Sequence, residues 1–303
     1  MSLYLKYRPK TLDELRGNSG IASALDGMLT NKETCPHSFL LHGPTGCGKT
    51  TLGRIIAKGL GAVGSDFREI DSADFRGIDS VREIRKLCQF SPMQGEVSIW
   101  LLDEIHKMTG EAQNALLKIL EDPPGHVYFI LCTTEPQKLL PTIRGRCSQF
   151  QIEVLNDAQL LRLLKTTVRE EGESLEEEIY EQIIQDSLGH PRNALQILEQ
   201  VLHADPEQRL AIAKQTAEEQ SQSIELCRAL LSGANWKVVS NILTGLKTQE
   251  PEGIRRQVLG YAQAVLLKAD NEQAGLILEE FMEPNFTNGF PQLVFSCYSV
   301  IKN

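Results

Sequence analysis

The run Gly43-Pro44-Thr45-Gly46-Cys47-Gly48-Lys49-Thr50 fits the spacing G-x-x-x-x-G-K-S/T, a pattern whose chemistry is phosphate binding. Its glycines let successive backbone N–H groups turn inward around anionic oxygens. Lys49 is placed to neutralise the outer phosphates and the Thr50 hydroxyl to hold Mg2+. A second chemical pair, Asp103-Glu104, follows the apolar residues Leu101-Leu102. Asp103 would organise the cation and its waters, while Glu104 would orient and deprotonate an attacking water. The first motif predicts that ATP binds, with contacts running through Thr51. The two together predict that it is hydrolysed.

Such groups need rigid strand ends to hold them. Residues 37–42 (HSFLLH), 97–102 (VSIWLL) and 127–132 (VYFILC) read as strands buried on both faces of a parallel sheet. The segments 50–60 and 110–120 have helical spacing, so the phosphate motif lies between a strand and a helix, the context it requires. Residues 1–155 are therefore predicted to form an α/β domain of three layers. From Asn156 onward the strand signal disappears. Asn156 is placed to cap a helix, Ser174-Leu175-Glu176-Glu177 to open a second with a capping box, and Pro191 to start a third. They predict a helical lid over 156–205, with a boundary at Asp205-Pro206. Residues 206–303 carry helical patterns broken at Gly233-Ala234-Asn235, at Glu250-Pro251-Glu252-Gly253 and over 284–291, and predict a separate all-α domain.

The 303 residues are 41% hydrophobic, with a net charge of −9. That balance excludes a protein that coats nucleic acid by bulk electrostatics, so any DNA contact must come from locally placed groups. The start Met1-Ser2-Leu3-Tyr4-Leu5-Lys6 has no apolar signal stretch, and no run of about 18 apolar residues occurs. A cytoplasmic chain with no membrane partner is expected. The cysteines, Cys35, Cys47, Cys88, Cys132, Cys147, Cys227 and Cys297, are odd in number and form no C-x-x-C pair. Neither a disulfide framework nor a zinc site is indicated.

Further pieces occur in a fixed order: Lys6-Tyr7-Arg8-Pro9, the phosphate motif, Asp103-Glu104-Ile105-His106-Lys107-Met108, Asn114-Ala115-Leu116-Leu117-Lys118, Glu121-Asp122-Pro123-Pro124, Thr133-Thr134-Glu135-Pro136-Gln137-Lys138, Arg146-Cys147 and Gly189-His190-Pro191-Arg192-Asn193-Ala194-Leu195. With these, roughly residues 3–200 resemble the AAA+ ATPase subunits of sliding-clamp loaders. The bacterial gamma/tau subunits of DNA polymerase III are more similar than the small subunits of replication factor C. The resemblance implies that Tyr7, Arg8 and Pro9 lie against the adenine, that Thr134 is a polar sensor at the tip of the fourth strand, and that Arg192 reaches from the lid to the γ-phosphate. It also implies that Arg146 acts in trans on the ATP of a neighbouring subunit. Arg144 has no counterpart, and Gly145 replaces the family's usual Ser, which loosens that loop. Residues 59–71 lack the four-cysteine insertion usual in bacterial members, so zinc is expected to be absent.

The resemblance to replication factor C turns the helix start carrying Arg76, Ile78 and Arg82 toward primer–template DNA, where N–H groups and Arg76 meet phosphates; an exposed basic helix start is the alternative, standing level with it for Arg82 and behind it for Arg76. Phe90 and Met93 follow that helix. A core-facing loop is the default for Phe90, and contact with the sliding clamp is the sharper alternative. The implied assembly is a ring, five subunits in the family, built on the 206–303 domain as a collar from the same or different chains. Other classes compete. Asp103-Glu104-Ile105-His106 is also the box of one helicase group, ranked second because those enzymes carry a second α/β lobe; His106 then reads as a local hydrogen-bonding residue. A branch-migration motor or AAA+ remodeller without a clamp, and a non-hydrolysing stator subunit of the same ring, are the remaining alternatives.

Overall fold

The three continuous apolar runs form the middle of one parallel sheet. The computed structural model describes residues 1–31, 34–72, 74–213, 222–248, 251–268, 270–283 and 289–302, and the chain divides into two compact units. The first comprises Met1–Thr167 and Gly189–Asn193, the second Val168–Leu188 and Ala194–Asn303.

The first unit begins with α1 (Leu3–Lys6) and α2 (Ser19–Thr30), and continues through β1 (Ser38–His42), α3 (Lys49–Leu60), β2 (Phe67–Asp71) and α4 (Ile78–Leu87). After these come β3 (Ser98–Asp103), α5 (Gly110–Glu121), β4 (Val127–Thr133), α6 (Pro141–Arg144) and β5 (Ser148–Gln151). The strand order is β2-β3-β4-β1-β5, and every pairing is parallel. Alternation along each central strand divides the apolar side chains between two faces. Leu40, Trp100, Leu102, Phe129 and Leu131 pack with Val81 and Ile84 of α4 and Leu116 and Ile119 of α5. Phe39, Leu41, Ile99, Leu101 and Ile130 pack with Leu52, Ile56 and Leu60 of α3 and Leu25 of α2. Both faces are covered, which is why these strands read as unbroken apolar runs.

Beyond β5 the described residues contain no strand. α7 (Asp157–Glu170) starts as its sequence predicts. Asn156 Oδ1 accepts the Gln159 N–H at 2.9 Å and Gln159 Oε1 accepts the Asn156 N–H at 3.0 Å, a reciprocal cap. α8 (Glu177–Ser187) differs from expectation, since Glu176 is its N-cap residue and no side chain caps it. Glu177 and Glu178 already place negative charge in the first turn, and Ser174 lies outside the helix, its carbonyl accepting from Arg209 Nη1 at 3.1 Å. α9 (Pro191–His203) opens at the expected proline.

The second unit continues with α10 (Gln222–Leu231), α11 (Trp236–Gly245), α12 (Pro251–Lys268), α13 (Glu272–Phe281) and α14 (Gly289–Lys302). Its core gathers Leu226, Leu230, Val239, Val258, Phe281 and Leu293. A buried ion pair ties α12 to the end of α13: Arg255 donates from Nε and Nη2 to the Glu252 carboxylate, each at 2.8 Å, and from Nη1 to the Phe281 carbonyl at 2.6 Å. The Gly233-Ala234-Asn235 break is a turn in which Asn235 caps α11. The second break places Pro251 in the first turn of α12, with Glu250 outside the described residues, as are residues 284–288 of the third.

Candidate nucleotide-binding site

The phosphate motif forms the turn between β1 and α3, at the carboxyl edge of the sheet. Two of its glycines are required by geometry. Gly43 has φ +152°, and a Cβ there would lie 2.1 Å from the Ile152 carbonyl oxygen. Gly48 has φ +105°, a conformation only glycine adopts readily. Lys49 begins α3 and is buried; its Nζ donates to the carbonyls of Gly43 and Pro44 at 2.9 and 2.8 Å. Pro44, Thr45 and Gly46 form the rim of the turn, and the Cys47 thiol beneath it donates to the Pro44 carbonyl at 2.8 Å. Burial raises the Cys47 pKa, so this thiol is a packing group rather than a nucleophile.

The acidic pair meets this loop from β3. Thr50 Oγ1 donates to Asp103 Oδ2 at 2.7 Å, and Asp103 Oδ1 accepts the Glu104 N–H at 2.9 Å. Glu104 stands just past the strand with φ +51°, an uncommon backbone state for a residue with a Cβ. Its neighbour His106 is nearly buried and lies 3.4 Å from Glu104 Oε2 and 3.5 Å from Glu135 Oε1. Thr134, the expected sensor, directly follows β4. The hydroxyl that bonds His106, however, is that of Thr133, whose Oγ1 is 3.0 Å from Nδ1. Sequence reading passed over Thr133 and Glu135 because a Thr-Thr-Glu string does not reveal which side chain faces the neighbouring strand.

The amino-terminal segment reaches the same loop. Arg8 Nε donates to Thr51 Oγ1 at 2.8 Å, and both Tyr7 and Pro9 are half-buried beside it. Burial, and after it the Arg54 guanidinium, lower the Arg8 pKa; Arg54 itself is held in a fork by Glu69. Arg192, in the first turn of α9, belongs to this unit too. Its Cβ lies 3.6 Å from where a side chain on Gly46 would begin, and its guanidinium stands 5.9 Å from the Tyr4 ring centre. Lys49, Arg8 and Arg192 thus surround the glycine turn with positive charge, opposite the Asp103-Glu104 carboxylates.

The sequence profile of the family described as "DNA polymerase III, delta subunit" matches residues 63–156. The DNA polymerase III gamma/tau subunit of Mycobacterium tuberculosis is 35% identical over 225 residues, which is 67% of this chain and 39% of that protein. The tau subunit of Bacillus subtilis is 33% identical over 223 residues, or 66% of this chain and 39% of that protein. This chain belongs to the family of the DNA polymerase III gamma/tau subunits. Its fold is also that of RuvB from Thermotoga maritima, a Holliday junction branch migration motor, with a TM-score of 0.59 at 23% identity, covering 74% of this chain and 79% of that one. The chain spans about two fifths of the length of the mycobacterial relatives it matches.

The remaining expected contacts stand apart from the phosphate loop. Arg146 follows α6; its Nη1 donates to the Thr142 carbonyl at 3.0 Å, and its Nη2 rests on the Glu121 carboxylate at the end of α5. Arg144 Nε is buried. Arg76 and Ile78 flank the start of α4, and Arg82 one turn on pairs with exposed Asp79 at 2.8 Å. Phe90 and Met93 do not face the core: they are 67% and 80% exposed. The loop carrying them is fixed from beneath. Buried Asp66 accepts the N–H groups of Met93, Gln94 and Gly95 at 2.8, 2.7 and 2.8 Å, and His126 Nε2 meets the Phe90 carbonyl at 2.9 Å.

Proposed function

We propose that this chain is the ATP-hydrolysing subunit of a clamp loader, which opens a sliding clamp and places it on primer–template DNA during replication. The observation that carries the reading is the Thr50–Asp103 hydrogen bond with Glu104 adjoining it, found in a chain of the gamma/tau family. Thr50 and Asp103 offer hard oxygen ligands of the kind Mg2+ takes, and bound there the ion would neutralise phosphate charge. Lys49 leaves the Gly43 and Pro44 carbonyls for the outer phosphates, the turn from Gly43 through Thr51 cradles them with the N–H groups of its non-proline residues, and Arg192 approaches from the start of α9. Tyr7, Arg8 and Pro9 flank the adenine. Thr134 senses the γ-phosphate. Glu104 takes a proton from the attacking water.

In the same proposal Arg146 serves the ATP of a neighbouring subunit. Residues 156–205 are the lid, and residues 206–303 the collar of a ring of five subunits. Arg76, Ile78 and Arg82 meet DNA phosphates, Phe90 and Met93 meet the clamp, and zinc has no part. The setting is the cytoplasm. The test is ATP hydrolysis by the purified chain, alone and with a sliding clamp, partner subunits and primer–template DNA. Stimulation by clamp and DNA together is expected. Assembly with those partners without hydrolysis would assign the chain to a stator role, and hydrolysis indifferent to any clamp would assign it to a motor.

A further inference from the structure

His106 lies between the proposed water-activating acid and the end of β4. It occupies the short turn Ile105–Lys107, with its side chain 8% exposed. Nδ1 is 3.0 Å from Thr133 Oγ1, which also accepts the Glu135 N–H at 3.0 Å. Nε2 faces two carboxylates, Glu104 Oε2 at 3.4 Å and Glu135 Oε1 at 3.5 Å. An ionised carboxylate only accepts hydrogen bonds. The nitrogen between two of them therefore carries the proton, and Nδ1 of the neutral ring accepts from the Thr133 hydroxyl. Burial favours that neutral ring, lowering the His106 pKa against the upward pull of Glu104 and Glu135. Each acid also has a lysine: Lys107 Nζ lies 3.8 Å from Glu104 Oε2, and Lys138 Nζ 2.9 Å from Glu135 Oε1. A single N–H thus faces two acceptors at nearly equal distances, both long for a hydrogen bond.

We propose that His106 is a positioning residue for Glu104, and that Glu104 and Glu135 compete for its Nε2–H. The inference rests on Glu104 being the water-activating acid. Glu135 directly follows Thr134, so any shift of this segment changes which carboxylate holds the donor. Glu104 has an uncommon left-handed backbone, and the His106 contact restrains where its side chain points. The end of β4 and the reactive carboxylate are thereby coupled through one ring.

Two measurements on the intact chain and its assembly test this. Imidazole 15N shifts of His106 should report the Nε2–H tautomer, and Glu135→Ala should move them. In steady-state hydrolysis, His106→Ala and His106→Asn should lower kcat about 10- to 100-fold with KM and melting temperature unchanged. His106→Gln, whose amide reaches the ε position, should recover most of that rate. In a Glu104→Gln background, His106→Ala should cause no further loss. An Nδ1–H tautomer, a parent-like kcat for His106→Ala, a His106→Gln variant no faster than His106→Ala, or additive losses would each overturn the proposal. A wild-type assembly that binds ATP without hydrolysing it shows itself in the same assay before any variant is made, and overturns the function on which the proposal stands.

Discussion

Thr50 Oγ1 donates to Asp103 Oδ2 across 2.7 Å, joining the start of α3 to the end of β3 through residues 53 positions apart in sequence. The second Asp103 oxygen accepts the Glu104 N–H at 2.9 Å. One carboxylate therefore fixes both the hydroxyl that would hold Mg2+ and the backbone of the acid beside it. Removing Asp103 disturbs both, whereas changing the Glu104 side chain leaves the link intact.

Glu104→Gln should accordingly bind ATP with parent-like affinity while kcat falls by about 10² or more, the usual scale for losing a positioned base. Asp103→Asn should also weaken affinity for the magnesium–nucleotide complex. Titration with a fluorescent ATP analogue, followed by single-turnover hydrolysis, separates the two. Parent-like turnover by Glu104→Gln would remove that residue from the mechanism.

Arg146→Ala should keep ATP affinity and lose hydrolysis, by about 10³ or more if it acts as arginine fingers do elsewhere. Lys49→Ala should fail at nucleotide binding. Mixing the two should restore part of the activity, because the Arg146→Ala subunit keeps a complete site that a Lys49→Ala neighbour can serve. Native mass spectrometry establishes that mixed assemblies form. No rescue in such assemblies would end the trans assignment.

Phe90→Ser and Met93→Ser should abolish capture of a sliding clamp while leaving stability within about 0.5 kcal/mol, the ordinary range for exposed positions. Clamp pulldown and thermal melting provide the two readings. Retained capture by the double variant would place the docking surface elsewhere.

The central strands were legible in the sequence because β1, β3 and β4 are covered on both faces and need apolar residues throughout. β2 and β5 were not. They are edge strands, Phe-Arg-Glu-Ile-Asp and Ser-Gln-Phe-Gln, half open to solvent, and their composition carries little strand signal. Within the site, the phosphate loop and acid pair were readable because each is a local string. The bridge from Glu104 through His106 to Glu135 was not, since only the parallel pairing of β3 with β4 brings those positions together. The spacing of Ser174-Leu175-Glu176-Glu177 suggested a capping box, yet α8 starts two residues later than Ser174 would cap it, with Glu176 at the N-cap and no side-chain cap.

Asp66 makes the loop under Phe90 and Met93 sensitive to acid. The N–H groups of Met93 and Gly95, and after them that of Gln94, lower its pKa. A carboxylate depressed on folding contributes stability above its unfolded value, near ~3.9 for Asp, and loses it as pH falls through the folded value. Asp66→Asn should therefore lower the melting temperature at pH 6–7, and the gap to the parent should close as pH drops below ~3.9. Melting curves across that range check it; a gap that persists in strong acid would show that the charge is irrelevant.

Stimulation by primer–template DNA should weaken as salt rises and vary little with sequence, since the candidate contacts are phosphate contacts. Arg76→Ala and Arg82→Ala should each reduce the salt slope by about one. The Arg82–Asp79 pair is exposed and worth at most about 1 kcal/mol, so it does not withhold Arg82 from a phosphate. A steep preference for one sequence in binding assays would contradict this surface.

The seat of Arg146 on Glu121 also bears on how firmly subunits hold together. Under the proposed trans role, the Glu121 carboxylate is an in-house decoy for a phosphate oxygen, and docking a neighbour swaps one anion for another. The guanidinium contributes only the difference between the two partners to association, not the full strength of either. Once the γ-phosphate has left, the decoy is the better partner, and the arginine can let go of its neighbour without ever being left alone. Reversal after each turnover is thus written into a single exchange of counterions.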